Sequence, residues 1–211
     1  MVEFKAKADE IIKERWGIAV EHCNAGETYE HHFYRVRGEK SPTNGGIMYG
    51  WPMRGGTWCN SDLKMRALRK ARSEQKNMTY IGIAADEPNR FHNLSSTKIS
   101  PLVEAGWTED DCRKWCEEND LLSPIYTTAT RGGCWFCHNQ SVGQLRLLRK
   151  NYPDLWALML KWDKDSPVTF KADGHTVHDF DRRFALEDQK LIVPSDHFRW
   201  ALLDEELQYH F

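Results

Sequence analysis

The chain has 211 residues, 40% of them hydrophobic, which is enough to bury a core and lies near the upper size of one domain. Its 29 basic and 31 acidic residues give a net charge of -2, so no overall positive field recruits nucleic acid or an anionic membrane. The sequence has neither an apolar leader nor a run of about 18 apolar residues, and we expect a cytoplasmic protein with no membrane contact.

The N-terminal part of the sequence predicts one helix, one short strand and a long irregular segment. Apolar side chains recur at helical spacing over residues 3–16, and Gly17 ends this helix. Residues 18–22 predict a short strand. Residues 24–56 are rich in Gly, Pro, His and Tyr without a clear period, and they predict an irregular excursion rather than packed elements.

The rest of the sequence alternates helical and strand-like segments. Good helix formers with a basic run predict a helix over residues 61–74, and an unbroken apolar run predicts a buried parallel strand over residues 78–85. Further helices are predicted over residues 108–119, 142–150 and 153–162. This order favours an α/β layer structure. The residues from Ser166 onward have no clear period.

The cysteines carry the most specific chemistry in the sequence. Because nothing indicates secretion and the chain is too long to need disulfides, we expect reduced thiols. In Arg131-Gly-Gly-Cys-Trp-Phe-Cys137, the two-residue spacing lets Cys134 and Cys137 face one ion, and the two glycines let the backbone bend around the sulfurs. We interpret this pair as half of a metal or iron–sulfur site. A redox dithiol is the competing interpretation, although such a motif normally has its first cysteine at the start of a helix that directly follows a strand.

The pair needs partners, because a structural zinc ion or an iron–sulfur cluster normally takes four protein ligands. Cys112 and Cys116 are four residues apart on a predicted helix and share one face, so at least one of them could reach the same centre. Cys59 lies at a predicted loop-to-helix junction and is a further candidate. Cys23 is expected to be a buried small apolar residue.

Cationic residues flank both parts of the predicted centre. Lys64 follows Cys59 by five residues, Arg131 precedes the Cys-x-x-Cys pair by three, and together they could hold a phosphate or sulfate. The segment Asp86-Glu-Pro-Asn-Arg90 directly follows the predicted strand 78–85, and ligands of parallel α/β sheets gather at the carboxyl ends of strands. Arg90 is therefore a third candidate anion contact. The alternatives are a solvated surface charge for each cation and a loop-stabilising salt bridge for Arg90.

An ordered series of motifs is more specific than any one of these features. The motifs are Trp58-Cys-Asn-Ser-Asp-Leu-Lys64, Tyr80-Ile-Gly-Ile-Ala-Ala-Asp-Glu-Pro-Asn-Arg90, Ser100-Pro-Leu-Val-Glu-Ala-Gly-Trp-Thr-Glu-Asp-Asp-Cys112 and Arg131-Gly-Gly-Cys-Trp-Phe-Cys137. With them, residues 1–163 resemble the phosphoadenosine phosphosulfate (PAPS) reductase family, especially its short members common in phages and mobile elements. The resemblance implies an α/β fold of the Rossmann-like, adenine nucleotide alpha-hydrolase-like type, with a parallel sheet flanked by helices and an adenine nucleotide or sulfonucleotide as ligand. Residues 164–211 would be a C-terminal extension.

The resemblance also implies which residues bind the cofactor. In that family the loop matching Trp58-Cys59 and the later Cys-x-x-Cys bind a [4Fe-4S] cluster, and the lysine matching Lys64 lies close to cluster and substrate. Trp58 stands where cluster-bearing reductases have the first of two adjacent cysteines. The expected ligands are therefore Cys59, Cys112, Cys134 and Cys137. Cys116 is the substitute for Cys112, and zinc is the alternative to the cluster.

Two family features are missing from the sequence. Family members begin with a strand and a Ser-Gly-Gly-Lys-Asp-Ser type phosphate loop, whereas this sequence starts at what would be the next helix. We expect either a truncated product or a variant whose first strand comes from a partner protein or is not needed. The reductases also carry a nucleophilic cysteine in their C-terminal tail, and no cysteine follows Cys137 here.

These departures shape the expected function. Thioredoxin-dependent sulfonucleotide reduction is disfavoured, so the leading hypothesis is nucleotide-dependent sulfur or adenylyl chemistry at the cysteine centre. Lys64, Arg90 and Arg131 would contact the anion, and nucleic acid is one candidate sulfur acceptor. The alternatives are a non-catalytic, zinc-stabilised binding or regulatory module, and one part of a two-chain enzyme whose partner supplies the phosphate loop.

Overall fold

The computed structural model describes residues 2–41, 45–52, 57–71, 78–127, 132–201 and 203, and the structural statements below concern those residues. In chain order the helices are α1 (Val2–Trp16), α2 (Tyr29–Tyr34), α3 (Trp58–Asn60), α4 (Arg66–Ala71), α5 (Pro88–Phe91), α6 (Pro101–Glu104), α7 (Glu109–Glu118), α8 (Val142–Asn151), α9 (Pro153–Asp165) and α10 (Val177–Asp188). The strands are β1 (Thr79–Tyr80) and β2 (Lys98–Ile99). A π-helical stretch, Ser61–Met65, joins α3 to α4, and a 3-10 turn occupies Pro124–Thr127. Among the described helices, none is both long and apolar enough to cross a membrane.

The chain forms two compact units, each assembled from two separate segments of sequence. The sheet unit comprises Met1–Cys23 and Arg69–Gly132, and the helical unit comprises Asn24–Leu68 and Gly133–Phe211. Helices with one parallel strand pair make the described chain a mixed α and β protein. The division at residue 163 that the family resemblance implies stays a prediction.

The sheet unit contains the parallel strand pair. Thr79 lies opposite Lys98 in the ladder, and the Ile81 amide extends it by donating to the carbonyl oxygen of Ile99 at 2.9 Å. The strand predicted over residues 78–85 is therefore regular only at its start. Beyond it the backbone is held by the buried Ser100, whose hydroxyl donates to the carbonyl oxygen of Ile83 at 2.6 Å.

Two further predictions for the sheet unit have opposite outcomes. The helix over residues 3–16 is confirmed as α1, and it ends where Gly17 adopts a positive φ of 66°, a conformation that costs glycine little. The strand predicted over residues 18–22 is wrong. Ile18 is 57% exposed, and the described sheet consists of β1 and β2 only, so this run has no strand to pair with there.

Three helices pack together in the helical unit. α8, α9 and α10 contact one another in pairs, and they bury apolar side chains at helical spacing, among them Leu145, Trp156, Met159, Phe180 and Phe184. α8 and α9 confirm the helices predicted over residues 142–150 and 153–162. α10 was not predicted from the sequence. It begins at a capping box, in which the Thr176 side chain accepts from the amide of Asp179 and the Asp179 side chain accepts from the amide of Thr176.

An aromatic core lies beside these helices in the same unit. Phe33 and Trp51, both from the stretch predicted to be irregular and unpacked, have no exposed surface, so that prediction is wrong for these residues. Gly50 has a positive φ of 62° and turns the chain so that the Trp51 amide donates to Ser166 Oγ at 3.1 Å and its Nε1 to Asp163 Oδ1 at 3.0 Å. The end of this irregular segment is therefore hydrogen-bonded to the C-terminal end of α9.

Candidate metal centre

Three of the predicted ligands, Cys59, Cys134 and Cys137, belong to the helical unit and share one electrostatic environment. Burial raises the pKa of the Cys59 thiol, and Cys137 and Cys134 raise it further, because a second thiolate nearby disfavours ionisation. Lys64 and a backbone hydrogen bond from Asn60 partly offset this rise in pKa. All three cysteines are free thiols, Cys59 and Cys137 half-buried and Cys134 exposed.

Cys59 lies in α3, at a point where the helix widens. The preceding Trp58 is buried and fixes this turn, since its Nε1 donates to the carbonyl oxygen of Gly50 at 3.3 Å. The next residues, Ser61–Met65, form the π-helical stretch, which the Arg66 amide closes by donating to its first carbonyl oxygen. Such wide turns are rare inside helices and frequently occur at functional sites.

The Cys-x-x-Cys segment forms two consecutive turns. The Cys137 amide donates to the carbonyl oxygen of Cys134 at 3.0 Å, and the Gln140 amide donates to that of Cys137 at 3.0 Å. The Gln140 side chain closes the loop by donating from Nε2 to the Cys134 carbonyl oxygen at 2.9 Å. Ser141 then caps α8 in a capping box with Gln144. The backbone of the pair is thus held from both sides.

The two residues between the cysteines anchor the loop in the aromatic core. Trp135 stacks on Trp162 with ring centroids 5.6 Å apart. Phe136 lies 4.0 Å from Tyr29, centroid to centroid. Because both intervening side chains are held by other rings, the loop has little freedom to change its orientation relative to the core.

Tyr29, the first residue of α2, lies among these rings. Its centroid is 4.9 Å from that of Trp58, so Tyr29 contacts the residues directly before Cys59 and Cys137. The Tyr29 hydroxyl is buried and has no hydrogen-bond partner among the described residues. Burial raises the pKa of Tyr29, and the three thiols raise it further, so the phenol keeps its proton.

Lys171 is a cation next to the Cys-x-x-Cys segment that the sequence did not indicate. Its Nζ donates to the carbonyl oxygens of His138 and Gln140, each at 2.6 Å, directly after the cysteine pair. Burial lowers the pKa of Lys171, whereas Asp173 and Cys137 raise it. Lys171 lies in a stretch of sequence without period or motif, so no sequence signal pointed to it.

The three predicted anion contacts differ in where they lie in the structure. Lys64 is exposed, and its charge acts on the Cys59 thiol. Arg90 belongs to the sheet unit, where its Nη1 lies 2.5 Å from Glu87 Oε1. Arg131 lies outside the described residues. The three cations therefore stay separate candidates for an anion site.

Cys112 and Cys116 lie on α7 in the sheet unit. Burial raises the pKa of both thiols, and the pKa of Cys112 is raised further by Cys116, Asp111 and Asp86. Since they belong to a different unit from Cys59, the assignment of either one as a ligand stays a prediction. Cys23 is half-buried and also belongs to the sheet unit.

The donor chemistry of Cys59, Cys134 and Cys137 fits a soft metal, since thiolates suit zinc and iron–sulfur clusters alike. As the side chains stand, the described residues contain no group of three or more His, Cys, Asp or Glu that could hold an ion. The side chains of the three cysteines would therefore have to move closer together to hold a metal, which would couple metal binding to local ordering. The buried Tyr29 hydroxyl without a partner belongs to the same place.

Comparisons with family models, with curated proteins and with solved structures found no match for this chain.

Proposed function

We propose that the helical unit binds a [4Fe-4S] cluster, or alternatively zinc, through Cys59, Cys134 and Cys137. The observation that supports this best is the approach of Cys59 to a Cys-x-x-Cys pair far along the sequence, which lets the three thiols influence one another. Cys112 is the proposed fourth ligand, with Cys116 as its substitute, on the strength of the family resemblance.

The wider proposal is a PAPS reductase-like protein with a Rossmann-like, adenine nucleotide alpha-hydrolase-like fold. The parallel pairing of β1 with β2 supports it, because sheets of that kind are parallel. An adenine nucleotide or sulfonucleotide is the proposed ligand, contacted by Lys64, Arg90 and Arg131, and a partner protein is proposed to supply the phosphate loop. The chemistry is sulfur or adenylyl transfer, with nucleic acid as a candidate sulfur acceptor. A bound cluster would supply the sulfur or redox chemistry.

The metal proposal is tested by purifying the protein without oxygen and measuring iron, acid-labile sulfide and zinc per chain. A [4Fe-4S] cluster gives about four iron and four sulfide. Serine at Cys59, Cys134 or Cys137 is expected to abolish the stoichiometric metal, while Cys23→Ser, the matched control, retains it. Stoichiometric zinc without sulfide would show that the site binds zinc and not a cluster. Metal content that is unchanged in all three variants would overturn the proposal.

The same measurement identifies the fourth ligand. Loss of metal in Cys112→Ser alone assigns Cys112, and loss in Cys116→Ser alone assigns its neighbour one turn away. If neither variant loses metal, α7 does not contribute to the centre and the family-derived ligand set is wrong.

A non-catalytic, zinc-stabilised binding or regulatory module is the second candidate. It is favoured by the ion pair of Arg90 with Glu87, because an arginine already neutralised by a carboxylate is a poor anion contact. Calorimetry with ATP and with PAPS separates the candidates. Binding of either nucleotide, weakened by Lys64→Ala, supports the enzyme, whereas a module of this kind binds neither.

A further inference from the structure

We propose that Tyr29 is a positioning residue of the metal centre, donating a hydrogen bond from its buried hydroxyl to a metal-bound sulfur of Cys59, Cys134 or Cys137. This inference rests on the metal centre proposed above. It adds an uncharged donor to a site for which sequence reasoning named only cysteines and cations.

The first argument is the fixed position of the Tyr29 ring. Its centroid lies 4.0 Å from Phe136, 4.9 Å from Trp58 and 5.3 Å from Trp162. The helix that starts at Tyr29 is itself capped, since Thr28 Oγ1 accepts the amide of His31 at 3.1 Å. Two of the surrounding rings directly precede a candidate ligand in the sequence, and Tyr29 packs against the same core as Cys59.

The second argument is the state of the hydroxyl. Nearly all buried polar groups in proteins have a hydrogen-bond partner, and a group without one calls for an explanation such as a bound ion or its ligands. The buried Tyr29 hydroxyl has none among the described residues. A nearby thiol is a weak acceptor, but a thiolate carries negative charge and accepts strongly. No sulfur of the described residues meets hydrogen-bond geometry with the Tyr29 hydroxyl, so in this proposal a cysteine sulfur comes within reach of it as the three side chains gather around the metal.

The third argument fixes the direction of the hydrogen bond. An unperturbed phenol has a pKa of about 10 and keeps its proton at neutral pH. Tyr29 is therefore a donor to sulfur and not a phenolate ligand of the metal.

The test compares Tyr29→Phe with Tyr34→Phe, which removes a hydroxyl from the same helix. Tyr34 is the matched control, because its hydroxyl already donates to Asp165 Oδ2 at 2.6 Å. The reduced, metal-free chain is titrated with Co²⁺, whose thiolate charge-transfer absorption reports binding through sulfur. Hydrogen bonds to charged groups are strong enough that Tyr29→Phe should weaken Co²⁺ binding about tenfold or more, while Tyr34→Phe leaves it unchanged.

A second measurement separates positioning from packing. Without metal, Tyr29→Phe should be at least as stable to urea as the parent chain, because the hydroxyl it removes has no partner, whereas Tyr34→Phe should be less stable. If iron and sulfide are present, the reduction potential of the Tyr29→Phe protein should be more negative, since a hydrogen bond to a cluster sulfur favours the reduced state.

The outcomes distinguish this inference from the proposal beneath it. If the parent chain binds Co²⁺ through sulfur and Tyr29→Phe binds it equally well, the role of Tyr29 is refuted and the metal centre stands. If Tyr29→Phe lowers metal-free stability as much as it lowers Co²⁺ affinity, Tyr29 only packs, and the inference fails. If the parent chain shows no thiolate charge-transfer band, both the centre and the role of Tyr29 fail.

Discussion

Glu187→Gln is expected to destabilise the helical unit by about 3 kcal/mol. Glu187 is buried on α10 and accepts three hydrogen bonds, from Arg146 Nε at 2.5 Å, from Arg146 Nη2 at 3.0 Å and from Arg183 Nε at 3.1 Å. Arg183 is only 1% exposed, and it also donates to the carbonyl oxygen of Ser195 and lies over the Phe198 ring at 4.4 Å. The network therefore joins α8, α10 and the C-terminal segment.

The magnitude follows from what glutamine cannot replace. It is isosteric but uncharged, so two guanidinium groups lose their shared counter-charge, and removing one partner of a buried ion pair typically costs about 3–5 kcal/mol. The lower end applies here, because Arg146 is 28% exposed and keeps a contact to Asp196 at 3.3 Å. For a chain of this length, 3 kcal/mol corresponds to a fall in Tm of about 6–12 °C.

Hydrogen exchange followed by mass spectrometry is the assay, on peptides that cover α8 to α10, because it reports the opening of these helices separately from the sheet unit. Asp188→Asn is the control. This neighbouring carboxylate pairs with Arg149 at 2.5 Å but is 69% exposed, and Arg149 also contacts Asp181, so the expected loss is below about 1 kcal/mol. Equal exchange in the two variants would refute the assignment of Glu187 as the charge that holds this network.

Two other substitutions test local features of the helical unit. Gly50→Ala should lower the free energy of unfolding by about 2 kcal/mol or more, because φ is +62° and the new Cβ would meet the Ser166 and Pro167 side chains. Gly46→Ala is the control: its φ is +72° but its Cβ would enter open space, so the loss of stability measured in the same urea titration should be smaller. Asp62→Asn should flatten the acid limb of the stability profile. Burial alone would raise the pKa of Asp62, but hydrogen bonds from Ser61 and Arg35 lower it, so its contribution is present above a pH of about 4 and is lost as pH falls through the folded pKa. Equal losses at both glycines, or parallel acid limbs for Asp62→Asn and the parent chain, would contradict these assignments.

Elements that depend on local signals could be predicted from the sequence. α1, α7, α8 and α9 each combine helical spacing or acidic first turns with a recognisable start or stop, and each was found within a few residues of its prediction. α10 carries comparable signals, Thr176-x-x-Asp179 before apolar residues at helical spacing, but charges between them obscured the period. The strand predicted over residues 18–22 failed because a strand depends on a partner that a local pattern does not contain.

The same difference between local sequence signals and tertiary contacts applies to the candidate site. Cys134 and Cys137 lie three residues apart and their spacing alone indicated a ligand pair, while Cys59 was a candidate from its predicted loop-to-helix junction and an expected ligand from the family resemblance. Tyr29 and Lys171 could not be found in this way, because each approaches the cysteines only through tertiary packing and neither belongs to a motif. Residues that act on a site from outside its motif are visible only once the chain is folded.

The surroundings of Cys59 bear on whether this residue suits a metal ligand or a reactive thiol. A reactive thiol needs a lowered pKa, supplied by a helix N-terminus or by strong cations. Burial and the two neighbouring thiols raise the pKa of Cys59 instead, and Lys64 offsets only part of this rise. Without metal, Cys59 is therefore a poor nucleophile at neutral pH. A bound cation would reverse the balance, since its charge stabilises all three thiolates at once, and the crowding that disfavours ionisation of the free thiols then favours coordination.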